Sequence, residues 1–177
     1  SEVGKGSVFY FEIPASDLII DALPIQKNNR IQNTEKIHGS DFLKNISILI
    51  VEDTDHNYIL LREIVSHYGA ISDRAINGEE GLMKFKQKKY DLILLDINMP
   101  KMDGYEVIKV IRQTNQNVPV FAVTANAMSN EKEKCLSLGF TDYMAKPINP
   151  DSLINMINNY LIAPAQKAQK KVKEESI

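Results

Sequence analysis

The chain has 177 residues, 44% hydrophobic and 25% charged, which suits one globular domain of about 100–150 residues with segments left over. Its 21 Lys and Arg stand against 23 Asp and Glu, a net charge of −2, so no basic field exists to neutralise a phosphate backbone and no nucleic acid is expected as a partner. One cysteine, Cys135, makes neither an internal disulfide nor a zinc cluster, and no apolar run approaches the ~20 residues that cross a bilayer. A soluble chain in a reducing, cytoplasmic setting is expected, without direct membrane contact of its own, although a parent protein could be membrane-anchored.

Residues 8–13, Val-Phe-Tyr-Phe-Glu-Ile, form a strand-like run that Pro14 closes. Residues 15–45 mix an apolar patch (Leu18, Ile19, Ile20, Leu23, Ile25) with Asn, Gln and Lys, and read as a linker. From residue 46 onward apolar runs alternate with amphipathic stretches, the pattern of strand–helix repeats around a parallel sheet. Strands are expected over 46–52, 71–75, 92–96, 118–123 and 143–145. Those at 46, 92 and 118 are continuously apolar, as strands covered on both faces must be, whereas Ile71-Ser-Asp-Arg-Ala75 is more polar and reads as an edge. Helical spacing relates Tyr58, Leu61, Val65 and Tyr68, then Leu82 and Phe85, then Val107, Ile108 and Ile111, then Leu153, Ile157 and Tyr160. Gly69 and Gly139 stand where C-caps are needed, and Asn149-Pro-Asp-Ser152 reads as a helix start. The fold is thus expected to be α/β and doubly wound over 46–162. The Ala/Gln/Lys/Glu-rich tail, 163–177, reads as a frayed or disordered extension.

An open parallel sheet binds ligands beyond the carboxyl ends of its strands, where strand order reverses. The first strand ends in Glu52 and Asp53, the third in Asp96, the fourth in Thr124, and the fifth in Lys146 followed by Pro147. Three carboxylates placed together repel one another unless a cation sits among them. With only oxygen ligands on offer, a hard divalent ion that keeps several waters, Mg2+, is the natural occupant. A carboxylate can attack phosphorus to give an aspartyl-phosphate, a reaction that needs mainly positioning and charge neutralisation. Asp96, on the central strand between the acidic pair and Lys146, is the expected nucleophile. Glu52 and Asp53 are better placed as metal or water ligands, Lys146 as the partner of phosphoryl oxygens, and Thr124 as a hydroxyl donor to one of them.

Four segments, Val51-Glu-Asp-Thr54, Leu94-Leu-Asp-Ile-Asn-Met-Pro-Lys-Met-Asp-Gly104, Ala122-Val-Thr-Ala125 and Ala145-Lys-Pro-Ile148, resemble the receiver domain of two-component signalling, over about residues 46–162. The resemblance implies a five-stranded, flavodoxin-like sheet of order 2-1-3-4-5. It also implies Mg2+ held by Glu52, Asp53, Asp96 and the backbone carbonyl of Asn98, and Asp96 as acceptor from a phosphohistidine. Such a domain catalyses its own phosphorylation and slow dephosphorylation. Pro100 and Gly104 match the loop after the acceptor, and Tyr143, three residues before Lys146, matches the aromatic that switches together with Thr124. Gly81 departs from the usual Ala, which bears on local stability rather than function. Residues 4–14, Gly-Lys-Gly-Ser-Val-Phe-Tyr-Phe-Glu-Ile-Pro, are similar to the last strand of a histidine-kinase ATP-binding domain. Together the two resemblances imply a piece of a hybrid sensor histidine kinase, with the kinase core and a histidine phosphotransfer protein as partners. No DNA-binding module is expected after residue 162.

Other features read as structural. His38, His56 and His67 lack ligand spacing, Cys135 reads as a small apolar group on the fourth helix, and Asn45-Ile-Ser47 enters a buried strand and is not a glycosylation site. The side chains of Asn98 and Asn126 are candidates to tune attack of water on the phosphoryl group. Asp53-Thr-Asp55 is a D-x-D like that of haloacid-dehalogenase phosphatases, but Asn57 breaks their pattern. The alternative function is a docking receiver that regulates a kinase without being phosphorylated. Retention of every acid and of the lysine argues against it.

Overall fold

The structure is a computed structural model and describes residues 41–125 and 129–164. The run at 8–13 with its kinase-like residues, the linker up to residue 40, Asn126 and the tail from 165 lie outside the described residues. Among the described residues five strands alternate with five helices: β1 Ser47–Val51, α1 Asp55–His67, β2 Ile71–Ala75, α2 Gly78–Gln87, β3 Leu92–Asp96, α3 Gly104–Thr114, β4 Val120–Thr124, α4 Ser129–Ser137, β5 Asp142–Ala145 and α5 Pro150–Ile157. A π-helical turn over Asn158–Ile162 continues α5. All pairings are parallel, in the order β2-β1-β3-β4-β5, the flavodoxin-like order expected.

Side chains alternate across a strand, so one apolar run feeds two cores. Leu49, Val51, Ile93, Leu95, Val120 and Ala122 face Leu82 of α2, Val107, Ile108 and Ile111 of α3, and Cys135 of α4. Ile48, Ile50, Leu92, Leu94, Phe121 and Val123 face Leu61, Ile64 and Val65 of α1 and Leu153, Ile154 and Ile157 of α5. Burying each such Leu, Ile or Val contributes about 1.5–3 kcal/mol. β2 is the polar edge that its sequence predicts, with Ile71 62% exposed. Gly81 lets α2 sit close on β1, since a Cβ there would lie 3.1 Å from both methyls of Val51.

The helix boundaries follow local chemistry. Asn77 and Asn149 cap α2 and α5 by accepting from the amides of Glu80 and Ser152, and Asp103 forms a reciprocal capping box with Glu106 on α3. Gly69 and Gly139 adopt the left-handed backbone expected of helix ends, with φ of 89° and 101°. β4 starts two residues later than its apolar run: the Val118 amide donates to Asn115 Oδ1 at 2.9 Å, and Pro119 has no N–H for a ladder. Ahead of β1, within the stretch read as linker, Leu43 is fully buried and its amide donates to the Tyr68 carbonyl at 2.6 Å.

Candidate functional site

The strand order reverses between β1 and β3, and the residues at their carboxyl ends meet there. Glu52 and Asp53 follow β1, Asp96 ends β3, Thr124 ends β4, and Lys146 follows β5, its amide bonded to the Thr124 carbonyl at 2.7 Å. The Lys146–Pro147 peptide is cis. Glu52, Asp53 and Asp96 each bring one carboxylate oxygen to within 4.8 Å of the others. Glu52 and Asp96 are buried, at 0% and 3% exposure, whereas Asp53 reaches solvent. Lys146 bridges the buried pair: its Nζ donates to Asp96 Oδ2 at 2.7 Å and to Glu52 Oε2 at 2.9 Å.

The electrostatics follow from this packing. Burial pushes the Asp96 carboxyl above the usual carboxylate range and the Glu52 charge adds to it, against hydrogen bonds from Lys146 and from the Asn98 amide, 3.0 Å from Asp96 Oδ1. Burial also opposes the charge on Lys146, but its bonds to Asp96 and Glu52 outweigh that and hold its pKa above the ordinary lysine value. Three carboxylates therefore face one ammonium. This all-oxygen donor set, with one member open to water, fits a hard divalent cation that keeps part of its hydration shell.

The loop from Asp96 to α3 is tightly drawn. The Gly104 amide donates to the Ile97 carbonyl at 3.0 Å, and a Cβ on Gly104 would stand 2.5 Å from the Asp96 carbonyl oxygen. Glycine is required there because two segments of backbone approach each other, not for a positive φ. Thr124 is buried, at 1% exposure. Tyr143 lies on β5, one strand over from Thr124 and in register with Ala122 of β4, half-buried against the core on the α3 and α4 side. His56 and His67 are exposed on α1, and burial pushes the Cys135 thiol pKa up, as suits a packed apolar group.

Two neighbours of the site escaped the sequence reading. Asn57, in the first turn of α1, donates from Nδ2 to Glu52 Oε1 at 2.9 Å. Arg74 of β2 donates to the Asp53 carbonyl at 3.3 Å, pairs with Asp55 at 2.7 Å, and lies over the Tyr58 ring at 4.5 Å. An Asn five residues after a glutamate and an Arg on a polar edge strand carry no spacing signal of their own.

A 2-1-3-4-5 sheet with acids and a lysine gathered at its switch point is a flavodoxin-like domain of the receiver type. The response regulator receiver domain model matches residues 48–158, and the chain belongs to that family, a receiver domain of two-component signalling. Among curated proteins it is similar to the sensor protein EvgS of Escherichia coli K12, 40% identical over 108 residues. That match takes in 61% of this chain and 9% of EvgS, so the chain spans about a tenth of that relative's length. Among solved structures it is similar to the receiver domain of sensor histidine kinase PA1611 from Pseudomonas aeruginosa, which is described with a magnesium ion coordinated in its active site cleft. The two share 31% identity with a TM-score of 0.61, over 65% of this chain and 96% of the other. A receiver domain of Saccharomyces cerevisiae, co-crystallised with its histidine phosphotransfer signaling protein, shares 29% identity with a TM-score of 0.62, over 65% and 88% of the two chains. No helix among the described residues is long and apolar enough to cross a membrane.

Proposed function

We propose that this chain is a phosphoacceptor receiver of a phosphorelay, in which Asp96 takes a phosphoryl group from a phosphohistidine. The observation that carries the reading is Lys146 Nζ bridging Asp96 and Glu52 at 2.7 and 2.9 Å beside Asp53. In this reading an Asp96 carboxylate oxygen forms the new P–O bond while the P–N bond breaks. The electron pair leaves with the imidazole, which, protonated on its other nitrogen, departs neutral. Lys146 shifts from the Asp96 carboxylate to the phosphoryl oxygens as charge arrives there, a transfer of partners within one pocket that costs little reorganisation. Glu52, Asp53, Asp96 and the Asn98 carbonyl would hold Mg2+, which would supply the remaining charge neutralisation. Thr124 donates to a phosphoryl oxygen, and Tyr143 moves inward behind it, so that modification biases a two-state surface.

The rest of the chain is read consistently with this. Residues 1–14 are the end of a histidine-kinase ATP-binding domain, 15–45 a linker whose last residues pack through Leu43 into the receiver core, 46–162 the receiver and 163–177 a charged tail. The parent is a hybrid sensor histidine kinase, and the partners are its kinase core and a histidine phosphotransfer protein on the cytoplasmic side. The likeness to a receiver of a sensor histidine kinase and to one crystallised with a phosphotransfer protein supports this choice of partners.

The test is incubation with a small acyl-phosphate donor, with and without Mg2+, followed by intact mass measurement of wild type and Asp96→Asn. A Mg2+-dependent phosphoryl adduct on wild type alone is the expected result. No adduct from that donor or from a phosphohistidine protein would leave a docking receiver as the function.

A further inference from the structure

We infer that Asn57 is a positioning residue that makes the acidic site selective for a small octahedral cation, by leaving Glu52 one free acceptor position; the inference rests on the reading of that site as a Mg2+ site. Glu52 is wholly buried, so protein donors must satisfy its carboxylate. An ionised carboxylate has about four acceptor positions, two on each oxygen. Oε1 receives Asn57 Nδ2 at 2.9 Å and the Thr54 amide at 3.3 Å, and Oε2 receives Lys146 Nζ at 2.9 Å. Both positions on Oε1 are therefore taken, and the one that remains is on Oε2.

That count decides which cation suits the pocket. Ca2+ takes 6–8 oxygens at longer distances and readily accepts both oxygens of one carboxylate, whereas Mg2+ demands near-ideal octahedral geometry and takes single oxygens and waters. A Glu52 pinned through Oε1 cannot turn both oxygens toward an ion. Asn57 is well placed to do the pinning, because it sits on a helix start that is itself held: the Tyr58 amide bonds the Thr54 carbonyl at 3.1 Å, and Arg74 ties the Asp53 carbonyl to the Asp55 carboxylate. The long Thr54 bond alone would not keep the carboxylate from rotating.

The experiment is calorimetric titration of the full chain with MgCl2 and with CaCl2, for wild type, Asn57→Ala and Asn57→Asp, with thermal unfolding in cation-free buffer as the check on folding. Loss of the amide should weaken Mg2+ binding about tenfold, the usual effect of removing a partner of a metal ligand, while Ca2+ binding holds or strengthens. The ratio of the two dissociation constants then moves about tenfold toward Ca2+. Asn57→Asp, which replaces the donor by a fourth carboxylate, should move it the same way and decides the matter if the alanine variant does not fold. Parallel weakening of both cations, with the ratio unchanged, would reduce Asn57 to a structural role and overturn the inference. A wild type that binds neither cation would overturn the Mg2+ reading of the site and this inference with it.

Discussion

Gly104 shows how a single residue without a side chain conditions the chemistry beside it. Its Cα faces the Asp96 carbonyl so closely that a Cβ would stand 2.5 Å from that oxygen and 2.8 Å from the Ile97 Cα. Both obstacles are backbone and cannot rotate aside. Inside a helix alanine is ordinarily favoured over glycine by about 1 kcal/mol. Here Gly104→Ala is expected instead to cost about 1–3 kcal/mol, and, by displacing Asp96, to lower the yield of phosphoryl adduct as well. Thermal melts and intact mass check both, and a variant that melts higher than wild type would contradict the contact argument. The half-buried Lys146 follows the same logic of contact: its raised pKa comes from two named carboxylates, so its charge is a property of the assembled pocket rather than of position 146.

Among the elements, β2 is held to the sheet's far side by polar contacts rather than by an apolar outer face. Asp73 accepts from Lys88 Nζ and Tyr90 Oη, both at 2.8 Å, across the connection between α2 and β3. The hydrogen bonds from Lys88 and then Tyr90 hold its carboxyl below the usual range, and burial together with the bond to Asp73 pushes the Tyr90 hydroxyl up. A carboxyl depressed in the folded state contributes stability that is complete above its unfolded pKa, about 3.9, and is lost as pH falls through the folded value. Wild type should therefore lose stability more steeply than Asp73→Asn below about pH 4. Denaturant melts across that range are the measurement. The side chain of Asp73 is 38% exposed, so the difference should be modest and should shrink with added salt. Curves that stay parallel through that range would contradict the assignment. At this scale the apolar runs of β1, β3 and β4 were legible because burial on both faces leaves little choice of residue. The start of β4 was not, because it depends on where the Asn115 side chain and Arg112 take up the Val118 backbone.

Across the whole molecule, Lys146 joins three parts of the sheet, the residue after β1, the end of β3 and the residue after β5. In the proposed switch it is the one cation that changes partner when a phosphoryl group arrives, so it couples modification to the surface around β4, β5 and α4. Lys146→Ala should still accept a phosphoryl group on Asp96, at lower yield, but hydrogen exchange of β4 and β5 should no longer respond to it. A variant that is modified and still responds would remove Lys146 from the coupling. In cation-free buffer the same variant leaves Glu52 and Asp96 buried without their shared partner, a loss of about 3–5 kcal/mol for a broken buried pair. The sequence by itself determined the alternation of strands and helices, the acidic residues at strand ends and the lysine beyond β5, because periodicity and strand termini are local properties written in consecutive residues. Only the tertiary structure decided that Asn57 and Arg74 belong to the surroundings of the site, that Leu43 is core, and that one ammonium serves two carboxylates. Those facts depend on segments from 5 to 94 positions apart being brought within hydrogen-bond reach, which spacing along a chain does not encode.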